Sequence, residues 1–367
     1  MKIEWLILIS VIFFIPSVAR ALDKIKPDTF ISVGAEYNDN ISFEPSGKTE
    51  FITTITPGIN TQLIANQWYY KIEYRPKFIN YQNIKKEAQN HNLNLIGGHK
   101  FSNKLLLLIN GDIIEDKEET VEEDFSVTKR EYLKRNLAGT IKFTITSRLE
   151  TDIKYQYEDF DIRQEEMWDS KENEIFLDIY YLLSQRLRGI GVYQSRKRDY
   201  KNNSSLNLHL LGTGIEYELG PKTKGNLIIK YEKMASEAGT TSEYGKSAAF
   251  QSNLTRNFNE KTTFCLTLEQ ATNFTRSCTD PITVKTAKIN ISRELNKKAN
   301  LNLSLSSMHG DWQNSTREDK LQSLNFGLSH QFSRKISCDM NYNSLNRKSN
   351  VDNPKRNNLY TVTFTMR

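Results

Sequence analysis

Charged side chains spaced two residues apart are the groups in this sequence with the clearest capacity for chemistry. Lys71, Glu73, Arg75 and Lys77 form one run; Glu150, Asp152 and Lys154 form a second; Glu174 and Asp178, then Arg188 and Arg196, follow. A spacing of two places side chains on one face of an extended chain. Such a face can pair with opposite charges on a neighbouring strand, or it can line an aqueous passage and orient charged solutes. Cross-strand pairing needs no ligand and is the simpler expectation. Segment 115–129 adds Glu115, Asp116, Glu118, Glu119, Glu122, Glu123 and Asp124, seven carboxylates within ten residues. Folded into a pore, this segment forms a candidate constriction that favours cations; left in solvent, it is an ordinary like-charge run.

Bond-making chemistry has no comparable support. The sequence holds no GxSxG, HExxH, GxxxxGK[ST] or GxGxxG in a suitable context. No serine or carboxylate falls beside a histidine in a recognisable arrangement. No catalytic, cofactor-binding or metal-binding residue is therefore expected. His91 and His99 are too far apart along one extended segment to share a metal. All five histidines, with His209, His309 and His330, are expected as core or lumen filler. Three cysteines, Cys265, Cys278 and Cys338, are too few for a disulfide-built fold and lack zinc spacing. The net charge of +6 is small for 367 residues and argues against a nucleic-acid partner.

The elements that must carry these charges are strands. From about residue 29 onward apolar and polar positions alternate. In 149–158, Leu149, Ile153, Tyr155 and Tyr157 share a face opposite Glu150, Asp152, Lys154, Gln156 and Glu158. In 68–77, Trp68, Tyr70, Ile72 and Tyr74 oppose Lys71, Glu73, Arg75 and Lys77. Segments 301–306 and 336–343 repeat the pattern with Asn302, Ser304, Asn341 and Asn343 on the polar side. This predicts about eighteen strands, the first near 29–39 and the last near 357–366. Tight turns near Ser102-Asn103, Ser147, Gln185, Gly220-Pro221 and Asn296-Lys297 alternate with longer polar loops, among them 198–203, 310–320 and 346–356. The last of these is basic, with Arg347, Lys348, Lys355 and Arg356 placed to meet lipopolysaccharide phosphates.

Residues 1–21 (MKIEWLILISVIFFIPSVARA) read as a signal peptide: Lys2, an apolar stretch too short to span a bilayer, then Ala19-Arg20-Ala21 as a small-x-small cleavage site. Residues 22–28 are a short periplasmic lead-in, and 29–367 the folded unit. The low mean hydropathy, −0.59, excludes a polytopic helical membrane protein.

Many of the expected strands run 11–16 residues, whereas soluble strands usually have about 5–6. Long strands, short turns at one end and longer loops at the other are the pattern of a transmembrane antiparallel up-and-down barrel. In hydrocarbon every backbone N–H and C=O must be paired, which a sheet achieves only by closing on itself. The apolar face then meets lipid and the polar face a wet lumen. The expectation is an all-β barrel in a Gram-negative outer membrane, exported through a cleaved signal peptide. It would form an aqueous pore for hydrophilic solutes, or act as a structural barrel with a blocked lumen.

Residues 29–83 also resemble a known family. An early strand ends in Tyr37-Asn38-Asp39-Asn40, a loop follows, the next strand carries Pro57-Gly58 in mid-course, and the strand after it carries Tyr70, Tyr74 and Tyr81. This resembles the putative β-barrel porin family of Gram-negative outer membranes. The resemblance implies an outer-membrane barrel, assembled by the barrel-assembly machinery among lipid and lipopolysaccharide. It also implies a link to exopolysaccharide or capsule export, and it transfers no catalytic or binding residue. One departure concerns assembly: the closing strand ends Phe364-Thr365-Met366-Arg367, with its aromatic three residues short of the end.

Overall fold

The computed structural model describes residues 26–367 apart from 41–46, 66, 84, 117–118, 122–126, 130, 163–168, 202–203, 237–241, 275–280 and 314. The expected signal peptide lies outside the described residues. The strands are β1 (Lys26–Asn38), β2 (Glu50–Ala65), β3 (Trp68–Tyr81), β4 (Lys86–Ser102), β5 (Leu105–Asp116), β6 (Glu119–Val121), β7 (Val127–Lys129), β8 (Tyr132–Thr144), β9 (Leu149–Ile162) and β10 (Ser170–Ser184). They continue as β11 (Leu187–Tyr200), β12 (Ser205–Gly220), β13 (Thr223–Ser236), β14 (Ser242–Asn259), β15 (Thr262–Phe274), β16 (Pro281–Asn296), β17 (Ala299–Trp312), β18 (Glu318–Gln331), β19 (Ile336–Ser349) and β20 (Lys355–Met366). Eighteen of them form one antiparallel sheet in which each strand pairs with its neighbours in sequence, and β1 pairs with β20 to close the ring. β6 and β7 form a separate small hairpin. Among the described residues there is no helix.

Register fixes which side chains point outward. Ile72, Ile153, Ile179, Leu211, Ile229, Leu305 and Phe364 stand on one face, and Leu211 and Ile229 are 66% and 62% exposed. Contacts that skip a strand identify the other face as concave. Arg188 on β11 reaches Glu150 on β9 across β10. The chain therefore presents an apolar exterior and a polar interior, as period two predicts. An outward row of aromatics crosses five neighbouring strands in direct register: Phe326, Tyr342, Tyr360, Tyr37 and Phe51.

The histidine expectation is overturned: all five belong to the outward face, where most stack on aromatics. His99 lies 3.6 Å from the Trp68 ring and 4.2 Å from Phe101, and His330 packs against Phe332. His91 stacks on Tyr74 and accepts or donates a 2.8 Å hydrogen bond with its hydroxyl. An imidazole, like an indole or phenol, has an apolar body and a polar edge, which suits the boundary between hydrocarbon and water.

The tight turns share a chemistry. The backbone N–H of Lys104 donates to Ser102 Oγ (3.1 Å), and the N–H groups of Arg148, Arg186, Lys261, Lys298 and Lys335 likewise donate to the side-chain oxygens of Thr146, Ser184, Asn259, Asn296 and Ser333, two residues back. These side chains imitate a backbone turn. Gly220, at φ +150°, plays the part before Pro221-Lys222. The third turn residue is a lysine or arginine in each case.

The Pro57-Gly58 pair also has a physical role. Pro57 falls opposite Pro76, and the β2–β3 ladder skips residues 56–58, because neither proline can donate. A side chain at Gly58 would collide with the Phe30 ring from β1. The missing side chain lets that ring lie over bare backbone.

The strands run further than expected at the loop end. β11 continues to Tyr200, β17 to Trp312 and β19 to Ser349, while β1 begins at Lys26, ahead of the expected barrel start at 29. Beyond the membrane both faces are wet, so the ladder can continue after the apolar alternation has stopped.

Candidate functional site

The eleven sequence-selected positions all fall on the inward face, and register groups them on β3 and β9–β11. Glu73 pairs with Lys71 (2.7 Å) and with Arg75 along its own strand. Asp152 pairs with Lys142 of β8 at 2.5 Å. Arg188 bridges Glu150 and Glu216, each at 3.6 Å. Arg196 pairs with Glu172 (2.9 Å), and Gln194 donates to Glu174. The Lys154 ammonium lies 4.7 Å over the Phe176 ring. Lys77 has a partner of its own, and Lys134 of β8 pairs with Glu158 at 2.9 Å. Asp178 borders a cavity of about 340 Å³ shared with Tyr180, Lys230 and Gln251. A second cavity, about 440 Å³, lies toward the turns between Lys142, Arg188 and Glu216. This wall is mostly a network that neutralises itself.

The opposite wall, from β14 to β2, is more sparsely charged between its two ends, where Glu36, Glu269, Lys288 and Asp339 face inward among neutral polar groups. One inward row in direct register reads Thr255, Cys265, Asn290, Ser304, Asn325, Asn343. The adjacent row reads Thr263, Ser292, Asn302, Gly327, Asn341, Thr361. Short amide and hydroxyl groups bond sideways, as in Thr267 to Asn253 (2.9 Å) and between Ser306 and Ser323 (3.1 Å). Lys288 stands among them, diagonal to Glu269 of the neighbouring strand, and makes no ion pair among the described residues.

Toward the loop end the interior is packed. The end of β15 leaves β14 after the Phe250–Gln270 pair and crosses inside the ring. The Thr272 N–H donates to the Glu232 carboxylate of β13 (3.2 Å). Arg198 of β11, 1% exposed, donates to Glu172 (2.7 Å) and to the Phe274 carbonyl (3.1 Å). Phe274 packs with Tyr200, Leu206, Leu208 and Met234. On the far side Asp319, fully buried, accepts from Trp312 Nε1 (3.0 Å), Arg317 (2.7 Å) and Arg347 (3.0 Å). Sequence reasoning missed Arg198 and Glu172. Each lies two residues from a selected position, Arg196 or Glu174, and on the same face; extending the alternation one step would have found them.

The acidic segment divides. Asp116 faces inward and accepts from Asn90 (2.6 Å), Glu115 faces outward, and Glu119 begins β6. Glu118, Glu122, Glu123 and Asp124 lie outside the described residues. The basic stretch 346–356 also divides: Arg347 and Lys355 face inward, Lys348 and Arg356 outward.

A family model described as "Putative beta-barrel porin 2" matches residues 25–367. The chain belongs to this family. No curated protein sequence matches it. Among solved structures it is similar to Acinetobacter baumannii OccAB2 (TM-score 0.51, 8% identity, 93% of this chain and 98% of that one). It is also similar to Pseudomonas aeruginosa OpdK with vanillate (0.51, 8%, 93% and 98%) and to Pseudomonas aeruginosa OccK2 in complex with glucuronate (0.51, 7%, 94% and 98%). At such identities the likeness concerns the fold. This β-barrel porin is thus an eighteen-stranded, porin-like outer-membrane transport barrel with an aqueous interior.

Proposed function

We propose that this porin passes uncharged and weakly charged hydrophilic solutes, saccharides among them, along a lumen with two unlike walls. Lys71, Glu73, Arg75, Lys77, Glu150, Asp152, Lys154, Glu174, Asp178, Arg188 and Arg196 line one wall. The amide and hydroxyl rows of β14–β20 line the other. The observation that carries the reading is that the charged wall is already paired, so the hydrogen-bonding capacity left for a solute lies mainly on the neutral side. Neutral dipoles exchange hydrogen bonds with a polyol without holding it as tightly as an ion pair would. Of the acidic segment, the inward-facing Asp116 adds a cation preference near the loop end.

Residues 1–21 are removed on export, the barrel-assembly machinery inserts the mature chain, and the protein acts as a channel and not as an enzyme. N-terminal sequencing should begin near Leu22. Single-channel recording in planar bilayers should give discrete conductance steps with weak ion selectivity, and sugars should reduce the current. Absence of steps overturns the channel in favour of a blocked, structural barrel, and hydrolysis of lipid or peptide by the purified protein overturns the non-enzymatic part. The neutral wall also suits a second reading, export of a polysaccharide. Loss of surface polysaccharide on gene deletion, with solute permeability unchanged, would favour it.

A further inference from the structure

We propose that the outer wall over β15–β20 binds a phosphorylated glycolipid of the outer leaflet, lipopolysaccharide by chemical class. The head-proximal end of its acyl chain would lie in a groove, and its phosphates on Lys320, Lys348 and Arg356. The proposal rests on the outer-membrane reading above. The groove holds about 630 Å³ on the outward side. Its apolar floor is one register row, Leu266, Ile289, Leu305 and Leu324. It exists because the next outward positions, Ala287 and Ser307, are small. Arg356 borders the same groove.

Loopward of the groove, four neighbouring strands place Lys285, His309, Lys320 and Lys348 directly opposite one another. Like charges in register repel, so such a row persists where an anion compensates it. Asp311 and Glu318 compensate one end: Asp311 holds Lys285 at 2.9 Å and His309 at 2.8 Å, and the Glu318 carboxylate lies within 4.8 Å of both His309 and Asp311. Lys320, Lys348 and Arg356 are exposed and have no acidic partner among the described residues. Elsewhere on the outward face at this end, Arg135 pairs with Asp159 (3.1 Å) and Lys197 with Asp199 (3.3 Å).

The depth also fits. The aromatic row through Tyr342 and Tyr360 marks the interface, and the groove row at Leu324 lies one step loopward of it, so the groove takes the head-proximal end of the chain. Arg356 lies four residues loopward of Tyr360 and Lys348 six loopward of Tyr342, about 13 and about 20 Å along the strands. Those are headgroup depths. A glycolipid with several phosphates and several chains meets both the cation cluster and the groove. A single-phosphate phospholipid would leave most of the cations unmatched. A second copy docked symmetrically here would set the cations against themselves.

Native mass spectrometry of the mature barrel in detergent, with added lipopolysaccharide, its dephosphorylated form, phosphatidylglycerol or inorganic phosphate, tests the site. Lipopolysaccharide should be retained, and the combined change Lys320→Glu, Lys348→Glu, Arg356→Glu should weaken it at least about tenfold. Lys104→Glu with Lys335→Glu, at the turn end, should change nothing. Leu305→Trp, which fills the groove and keeps every cation, should also weaken retention. Heat-modifiable gel mobility verifies that each variant is folded. Equal retention by the folded triple variant overturns the site, as do equal retention of dephosphorylated lipid or phosphatidylglycerol, or a dimer in place of lipid adducts. Failure of the outer-membrane reading would look different: the unmodified chain would stay dissolved without detergent.

Discussion

The wall running from β3 to β13 and the wall running from β14 to β2 complete the same ring with different chemistry. On the first, long charged side chains reach across one or more strands: Arg188 ties β9 to β12, and Arg198 ties β11 to the β15 end. On the second, asparagine, serine and threonine side chains reach only the adjacent strand. Long charged groups can brace a curved sheet across its concave side, but they spend their hydrogen-bonding capacity on each other. Short neutral groups brace less and leave capacity for solvent and solute. One barrel thus separates a surface braced across several strands from one bonded only to its neighbours.

The largest expected effect breaks a brace. Glu172→Ala leaves the Arg198 guanidinium buried without its carboxylate, a loss of about 3–5 kcal/mol by analogy with other broken buried pairs. Asn302→Ala on the neutral wall should stay within about 0.5 kcal/mol. Heat-modifiable mobility across a temperature series compares them, and equal sensitivity would erase the distinction between the walls. Next is the exterior: Ile153→Arg should impair assembly by about 2–4 kcal/mol for a residue near mid-bilayer, read as loss of heat-modifiable barrel in membranes.

Selectivity sharpens the comparison further. Lys288→Gln removes a cation that makes no ion pair from the sparsely charged wall, leaving Glu269 and Asp339, and should shift the reversal potential toward cation preference. Lys142→Gln combined with Asp152→Asn removes a matched pair and should leave it nearly unmoved. If the double variant shifts selectivity more than the single one, the charged wall is not self-neutralised. The smallest effect is expected for Lys154→Ala, which loses a cation–ring contact of about 0.5–1 kcal/mol and should assemble normally.

Much of this architecture was legible in the sequence because a barrel in lipid imposes period two on nearly every strand. Ile153 and Lys154 could be assigned to opposite faces from their spacing alone. Loop-end boundaries were harder to read. Arg198 and Lys348 lie on ladder that continues above the membrane, where polar residues occupy both faces and the alternation disappears. The histidines are expected as core or lumen filler, yet at a lipid boundary the imidazole ring behaves as a companion to Trp68 and Tyr74. The neutral wall could not be read at all from single strands. Asn290, Ser304 and Asn343 become one surface only when register aligns residues more than fifty positions apart, and register depends on turn geometry that local patterning does not reveal.

The side-chain-closed turns have a consequence for where the chain must begin and end. Six tight turns carry their own closing signal, and the seam between β1 and β20 is an ordinary strand pairing: beside its ladder, Ser32 Oγ meets Thr365 Oγ1 at 2.8 Å and the Asn358 N–H donates to Asp39 at 2.6 Å. Residues 31 and 366 are already partners. Joining the old termini and reopening the circle at another hairpin should therefore yield the same ring with its break relocated.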